Sequence, residues 1–181
     1  MDFIDLVRAR RSVRTFAGED VESGKIDQIL EAARLAPSWA NKQGWSFVVV
    51  RDRETVKRVA GASGAGNRWM AKAPLIVVAC GDPGASGTRG DLKYFMVDVA
   101  IAMEHLVLAA ADLGLGTCWI GAFDEAAIKE ILGIPEKVRV VALTPVGYAA
   151  ERAGVQESLT RLVVGSKNRK RLGEIVHFEK W

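Results

Sequence analysis

Apolar positions recur along this chain at two spacings, and the switches between them mark helices and strands. Phe3, Leu6 and Val7 share one face of a short helix over Asp2 to Arg10. Ile26, Ile29, Leu30 and Ala33 repeat with the helical period, so a second helix is predicted from a Ser23 cap to Leu35, with Pro37 just beyond it. Trp45 to Val50 is a β-rich apolar run, a buried strand. A polar helix is expected over about Arg53 to Ala60, followed by the glycine-rich loop GASGAGN at Gly61 to Asn67. Leu75 to Cys80 reads as a second strand, and a loop containing Gly81, Gly84, Gly87 and Gly90 leads to a long helix at about Leu92 to Leu113. Thr117 to Ile120 is a short strand, Asp124 caps a helix ending near Gly133 and Pro135, and Val138 to Tyr148 is a further strand. Gly165 to Gly173 is basic and turn-like, and Ile175 to Trp181 is expected to add a terminal strand. Such a strand has little local surface, so it must reach across the sheet or onto another subunit. The elements do not alternate as regular βαβ units, which makes the fold α+β in one domain spanning residues 1–181.

Composition changes this picture little. A chain of 181 residues with 49% apolar and 26% charged positions is ordinary globular material, and it buries roughly 70% of its unfolded surface without a staple. Cys80 and Cys118 sit inside apolar runs without metal-ligand or redox spacing and read as buried reduced thiols. The opening MDFIDLVRARR carries acids where a signal peptide carries bases. The apolar stretch Val97 to Ala111 is interrupted by Asp98, Glu104 and His105, so a buried helix is expected there rather than a membrane span. A cytoplasmic location is the expectation.

Charge is more informative in its distribution. The formal net charge is +3, yet the residues from Arg161 onward carry Arg161, Lys167, Arg169, Lys170, Arg171 and Lys180 against Glu174 and Glu179, a local +4. Nucleic acid would call for a broader basic face. A confined cluster suits a small anionic ligand or a solvated tail.

The usual side-chain machinery is missing. There is no phosphate-loop motif, the glycines from Gly61 to Gly66 run in the wrong order for a dinucleotide fingerprint, and no nucleophile elbow occurs. Two histidines, His105 and His177, do not make a zinc site, and His105 reads as a satisfied core residue. Either a bound cofactor carries the chemistry or there is none.

Three segments offer ligand chemistry. RARRSVRTF (Arg8 to Phe16) gathers Arg10, Arg11, Ser12 and Arg14 where the first helix ends; guanidinium forks and a hydroxyl bind phosphate, although basic residues at a helix end also suit the dipole. APSWANKQGWSF (Ala36 to Phe47) presents Ser38, Asn41 and Gln43, short donors and acceptors of the kind that hold a heteroaromatic ring, or else a plain helix-to-strand turn with Trp39 and Trp45 in the core. TCWIGAFDE (Thr117 to Glu125) ends a strand at a glycine, where a ligand can approach backbone N–H groups, or is an ordinary turn into a capped helix.

In their order, and with KNRKRLGEIV (Lys167 to Val176), these segments resemble the FMN-dependent nitroreductase family over nearly the whole chain. The resemblance implies a central, mainly antiparallel sheet flanked by helices in a homodimer that exchanges its C-terminal segments. It implies that Arg10, Arg11, Ser12 and Arg14 hold the phosphate and pyrimidine side of FMN, while Pro37, Ser38, Asn41 and Gln43 approach from the partner subunit. By the same resemblance Asn67 lies at the flavin edge, Gly121 and Ala122 offer backbone N–H to the flavin N5, and Lys167 with Arg169 completes the phosphate site. Trp39 and Gly44 stand where the family has a second serine and a proline. The implied activity is ping-pong reduction of nitroaromatics, quinones or related small-molecule acceptors by NADH or NADPH, with no catalytic side chain. A flavin-storing dimer and a same-fold enzyme of other chemistry, reductive dehalogenation or flavin fragmentation, are the alternatives.

Overall fold

The computed structural model describes residues 2–152, 154 and 168–181. A four-stranded antiparallel sheet lies at its centre in the order β1 (Trp45–Val50), β2 (Leu75–Gly81), β6 (Arg139–Tyr148), β5 (Leu115–Thr117). The sequence of β2, LIVVACG, has no polar side chain, and all seven of its residues are buried. That is the pattern of a strand covered on both faces. Alternation then divides it between two layers. Leu75 and Val77 pack with Ile26, Ile29 and Ala33 of α2 (Ser23–Arg34) and Leu106 of α4 (Tyr94–Asp112). Ile76, Val78 and Cys80 face Val56 and Val59 of α3 (Arg53–Ala62) and Ile128 of α5 (Glu125–Leu132). The fold is α+β, as expected.

By length and composition alone α4 could cross a bilayer. In this fold it is a core helix, with Phe95, Val99, Met103, Leu106 and Ala110 among its buried residues, and it packs against both α2 and the sheet. His105 on this helix is half-buried, with Nδ1 3.3 Å from the Ala32 carbonyl oxygen of α2.

Several boundaries differ from expectation, each for a local reason. Glu22 occupies the N-cap of α2 without a side-chain bond, and Ser23 is already helical. α3 runs on to Ala62, and Ala65–Lys72 is a 3-10 stretch, so little of the glycine-rich segment is true loop. The residues before α4 fold back as a small hairpin, β3 (Thr88–Arg89) and β4 (Leu92–Lys93), turning at Gly90 with φ of 55°. The strand expected at Thr117 to Ile120 is shifted. β5 stops at Thr117 because the next amide, Cys118, donates to the Thr144 hydroxyl at 3.2 Å instead of to a backbone partner, and only Ile120 returns to bridge Leu143. Ile175 to Trp181 forms no strand; a 3-10 turn occupies Leu172–Glu174 and every residue from 168 to 181 is exposed. A strand needs a hydrogen-bonding neighbour, and among the described residues none is brought to the segment.

One ion pair fastens α5 to β6. Glu125 accepts from Arg139 Nε and Nη2, both at 2.8 Å, and from the Val140 amide at 2.9 Å. The Arg139 guanidinium, above all, holds the Glu125 carboxyl below its usual range. A carboxyl with a lowered folded pKa adds stability above its unfolded pKa of about 4.3 and loses it as pH falls through the folded value. Glu125→Gln should therefore cost about 1–2 kcal/mol at neutral pH. In urea melts that difference should shrink toward zero once the pH falls well below 4; a gap that is constant with pH would show that ionisation of Glu125 contributes nothing.

Candidate functional site

After α1 (Phe3–Ala9) the chain becomes extended and docks along the β5 edge of the sheet. Ser12 bridges Thr117 in parallel, and the Val13 amide donates to the Thr117 carbonyl at 2.8 Å. Further on, the Ala17 amide donates to Tyr148 at 2.9 Å and the Ala150 amide to Thr15 at 3.0 Å. This pairing buries Val13 and Phe16 and leaves Arg10, Ser12 and Arg14 half-buried, with Arg14 Nη1 itself out of solvent. Docking this close requires glycine at position 116. A Cβ there would stand 2.7–2.9 Å from the Val13 side chain. Beside it opens a cavity of about 190 Å³ lined by Arg10, Arg11, Gly114, Gly116, Thr117 and Ala149. Ser12 and Arg14 do not line it. Such a volume is below the roughly 300–1,000 Å³ of a whole-ligand site, so it admits only part of a nucleotide.

Asn67 and the Gly121–Ala122 turn meet in space. Asn67 Nδ2 donates to the Ser63 carbonyl at 2.9 Å and to the Ala122 carbonyl at 3.2 Å. The Asp124 amide donates to Ala62 at 2.8 Å, and Asp124 Oδ1 caps α5 by accepting from Ala127. Gly121 and Ala122 are exposed, and nothing lies within 4 Å of where a Cβ on Gly121 would stand. Backbone there is open to a flat ligand. Phe16 stacks on Trp69 at 6.4 Å, and both belong to the cluster that holds Val13, Cys118 and Ile120. Two of the candidate segments, Arg8 to Phe16 and Thr117 to Glu125, thus gather with Asn67 around one edge of the sheet.

The segment Ala36 to Phe47 lies elsewhere. Between α2 and β1, Ala40, Asn41 and Gln43 all adopt left-handed φ values of 46°, 54° and 52°. Non-glycine residues in that region cluster typically at ligand clamps, where surrounding contacts hold the strain. Here Ser38 Oγ accepts from the Gln43 amide at 2.9 Å, and Gln43 Nε2 donates to Asn41 Oδ1 at 3.0 Å. The Trp39 amide donates to Asp98 Oδ1 at 2.8 Å. Its indole packs on Gly87, where a Cβ would come within 2.4–2.6 Å of the ring, and lies 6.3 Å from the Tyr94 ring. Gly44 faces Ala85 closely enough that a Cβ would meet the Ala85 Cβ at 3.3 Å. Pro37 is exposed.

This loop enters the sheet at Trp45, level with Gly81 and Arg139, whereas Ser12 pairs at Thr117, level with Val146. The two sites are four strand spacings apart, roughly 19 Å, and also offset along β6 by roughly 23 Å. One chain does not bring them together. Arg169 is exposed and its Nη1 donates to the Asn168 carbonyl at 2.8 Å, while Lys167 lies outside the described residues.

Residues 7–68 and 62–148 match the model of the Nitroreductase family. The chain belongs to the nitroreductase family. A relative from Archaeoglobus fulgidus, provisionally named NADH dehydrogenase/NAD(P)H nitroreductase, is 34% identical over 98% of each chain. A nitroreductase family protein from Clostridium novyi NT superposes with a TM-score of 0.80 at 39% identity, covering 83% of this chain and 87% of that one. The FMN-dependent nitroreductase from Clostridium difficile R20291 does so at 0.79 and 29% identity, covering 99% and 100%.

Against the family pattern, both departures have partners in this fold: Trp39 has its slot at Gly87 and Gly44 its neighbour at Ala85. Residue patterns did not single out Asp98, Ser86 or Gly87 for the site. The available signal was a lone acid early in an apolar helix. Cys80 takes no part, since burial pushes its thiol up to about 11, and Cys118 is likewise buried.

Gly116→Ala should push Val13 off β5 and destabilise the chain by about 1–3 kcal/mol. Gly121→Ala, where the added methyl meets open space, should stay within about 0.5 kcal/mol of wild type. Thermal melts of the two variants check this; equal losses would mean that Gly116 is not what lets the arginine segment dock.

Proposed function

We propose that this nitroreductase-family chain is an NAD(P)H-dependent oxidoreductase that holds FMN and reduces small acceptors such as nitroaromatics or quinones. The observation that carries the reading is the docking of the arginine segment on β5: Ser12 bridges Thr117, Arg10 lines the cavity beside it, and Val13 and Phe16 share a core cluster with Cys118 and Ile120, which lead into the open backbone at Gly121–Ala122. The donor set fits the cofactor's chemistry. Guanidinium groups and a hydroxyl suit a phosphate, and an unobstructed strand end suits a planar ring. FMN, when bound, supplies the hydride chemistry that no side chain here provides.

The chain's own residues then have defined tasks. Arg10 and Ser12 bind the phosphate, with Lys167 and Arg169 completing that site. Arg14 stands nearer the ring, where a fixed positive charge favours the electron-rich reduced form. Gly121 and Ala122 present backbone N–H groups, and Asn67 fixes that turn by holding the Ala122 carbonyl. Ser38, Asn41 and Gln43 reach the same flavin from a second copy, because their own chain carries them at the opposite corner of the sheet. Exposed Phe3, Ile4, Met96 and Val97, together with Leu172, Ile175, Phe178 and Trp181 of the C-terminal arm, are the apolar surface a homodimer with exchanged arms would cover. Buried free thiols suit a cytoplasmic location.

The purified protein should be yellow and release FMN, about one per subunit. Removing one guanidinium deletes a charge-assisted bond of about 1.5–3 kcal/mol, or about ten- to a hundred-fold in affinity. Arg10→Ala should thus weaken FMN far more than riboflavin, which lacks the phosphate, while Arg14→Ala should weaken both. Fluorescence titration of the apoproteins decides this, and equal losses for both ligands in Arg10→Ala would remove the phosphate from Arg10. NADH and NADPH oxidation with a nitrofuran or a quinone separates a reductase from a flavin-storage dimer.

Light scattering should return about twice the 19.6 kDa chain mass. Truncation before Lys167 should lose both dimer and flavin. A flavin-bound monomer would overturn the two-copy site.

A further inference from the structure

Asp98 is 2% exposed on α4, a helix whose other buried residues are all apolar. Its two oxygens serve two different loops. Oδ1 accepts the Trp39 amide at 2.8 Å, and Oδ2 accepts the Ser86 hydroxyl at 2.6 Å. The same two loops also meet directly, because the Trp39 indole fills the space left by the missing side chain of Gly87. The Ser38 to Gln43 loop has its three left-handed residues, Ala40, Asn41 and Gln43, within the four that follow Trp39, so the Trp39 amide ties the strained backbone to the core. A buried acid of this kind is costly to keep unless its bonds fix a geometry that an apolar residue would not.

We propose that Asp98 is a positioning residue: it locks the Ser38–Gln43 loop to the Ser86–Gly87 turn and so presets the face that the loop offers to the flavin. It touches no reacting atom. The inference rests on the reading that this loop contributes to an FMN site, but its central claim concerns the loop conformation in the chain itself. Trp39 becomes part of the same device. Its indole and its amide are both held, so loop and turn move together or not at all.

The test compares Asp98→Ala, Asp98→Asn and Ser86→Ala with Ala102→Gly, a change one turn further along α4 that weakens the helix without touching either loop. Amide hydrogen exchange of residues 38–43 in the flavin-free protein reads the lock directly, and FMN titration reads its consequence. Removing the acceptor leaves the partly buried Trp39 N–H without its partner, so Asp98→Ala should raise exchange in this segment about tenfold or more and weaken FMN by a similar factor. Asp98→Asn keeps an Oδ1 acceptor for the Trp39 amide and should stay within about threefold of wild type on both readouts. Ser86→Ala should loosen the loop less than Asp98→Ala but more than Ala102→Gly. Should Asp98→Ala fail to fold, exchange at 38–43 in Ser86→Ala decides between lock and no lock. Exchange at 38–43 and FMN affinity no different from those of Ala102→Gly would overturn the proposal. A wild-type chain that takes up no FMN would overturn the flavin reading alone, since exchange in the flavin-free protein still decides whether Asp98 holds the loop.

Discussion

Burial of β2 on both faces is the constraint from which the rest follows. Its residues point alternately to a layer of α2 and α4 and to a layer of α3 and α5, so neither layer can be removed without exposing half of the strand. The apolar surface covered by such a run stabilises the fold at about 25 cal/mol per Å². β1 and β6 are then fixed as its neighbours by antiparallel pairing, and β5 joins β6 at one end only. The segments Arg8 to Phe16, Ala36 to Phe47 and Thr117 to Glu125 hang from the edges of this assembly rather than from its middle.

Polar groups inside or beside the core set how those edge segments lie. Thr144, fully buried on β6, takes the Cys118 amide and ends β5 early, which brings the chain out of the sheet toward Gly121. Asn67 ties that exit to the end of α3. Asp98 does the same for the loop before β1. In each case one side chain takes the place of a backbone partner, and for the buried Cys118 amide the cost of leaving the donor unpaired makes the arrangement stiff.

The sheet also separates what the chemistry would join. The arginine segment and the Ser38–Gln43 loop occupy diagonal corners, with β2, β6 and β5 between the arginine segment and the strand that the loop enters. No bending within one chain closes that distance while β2 stays buried. A second copy, related by a two-fold axis, is the economical way to set one corner against the other. The exposed apolar residues of the C-terminal arm fit the same arrangement, since Phe178 and Trp181 find nothing among the described residues to cover them.

Helix and strand identities were legible in the residue pattern because burial on one or two faces imposes its period directly on composition. β1 matched to the residue, and β2, β6 and the Asp124-capped α5 were close. The family and the chemical character of the arginine segment were legible too, since they reside in local motifs. The place of Asp98 was not. An acid in an apolar helix looks the same in sequence whether, like exposed Glu104, it faces solvent or, like Asp98, it holds two loops, and only the partners at Trp39 and Ser86 distinguish the cases. The end of β5 at Thr117 and the absence of a strand over Ile175 to Trp181 also escaped, because both depend on which groups are within hydrogen-bond reach. Layers and donor chemistry follow from periodicity and residue type, which are local. Which donors meet does not, because it depends on contacts between residues as far apart as Trp39 and Asp98, which no local pattern encodes.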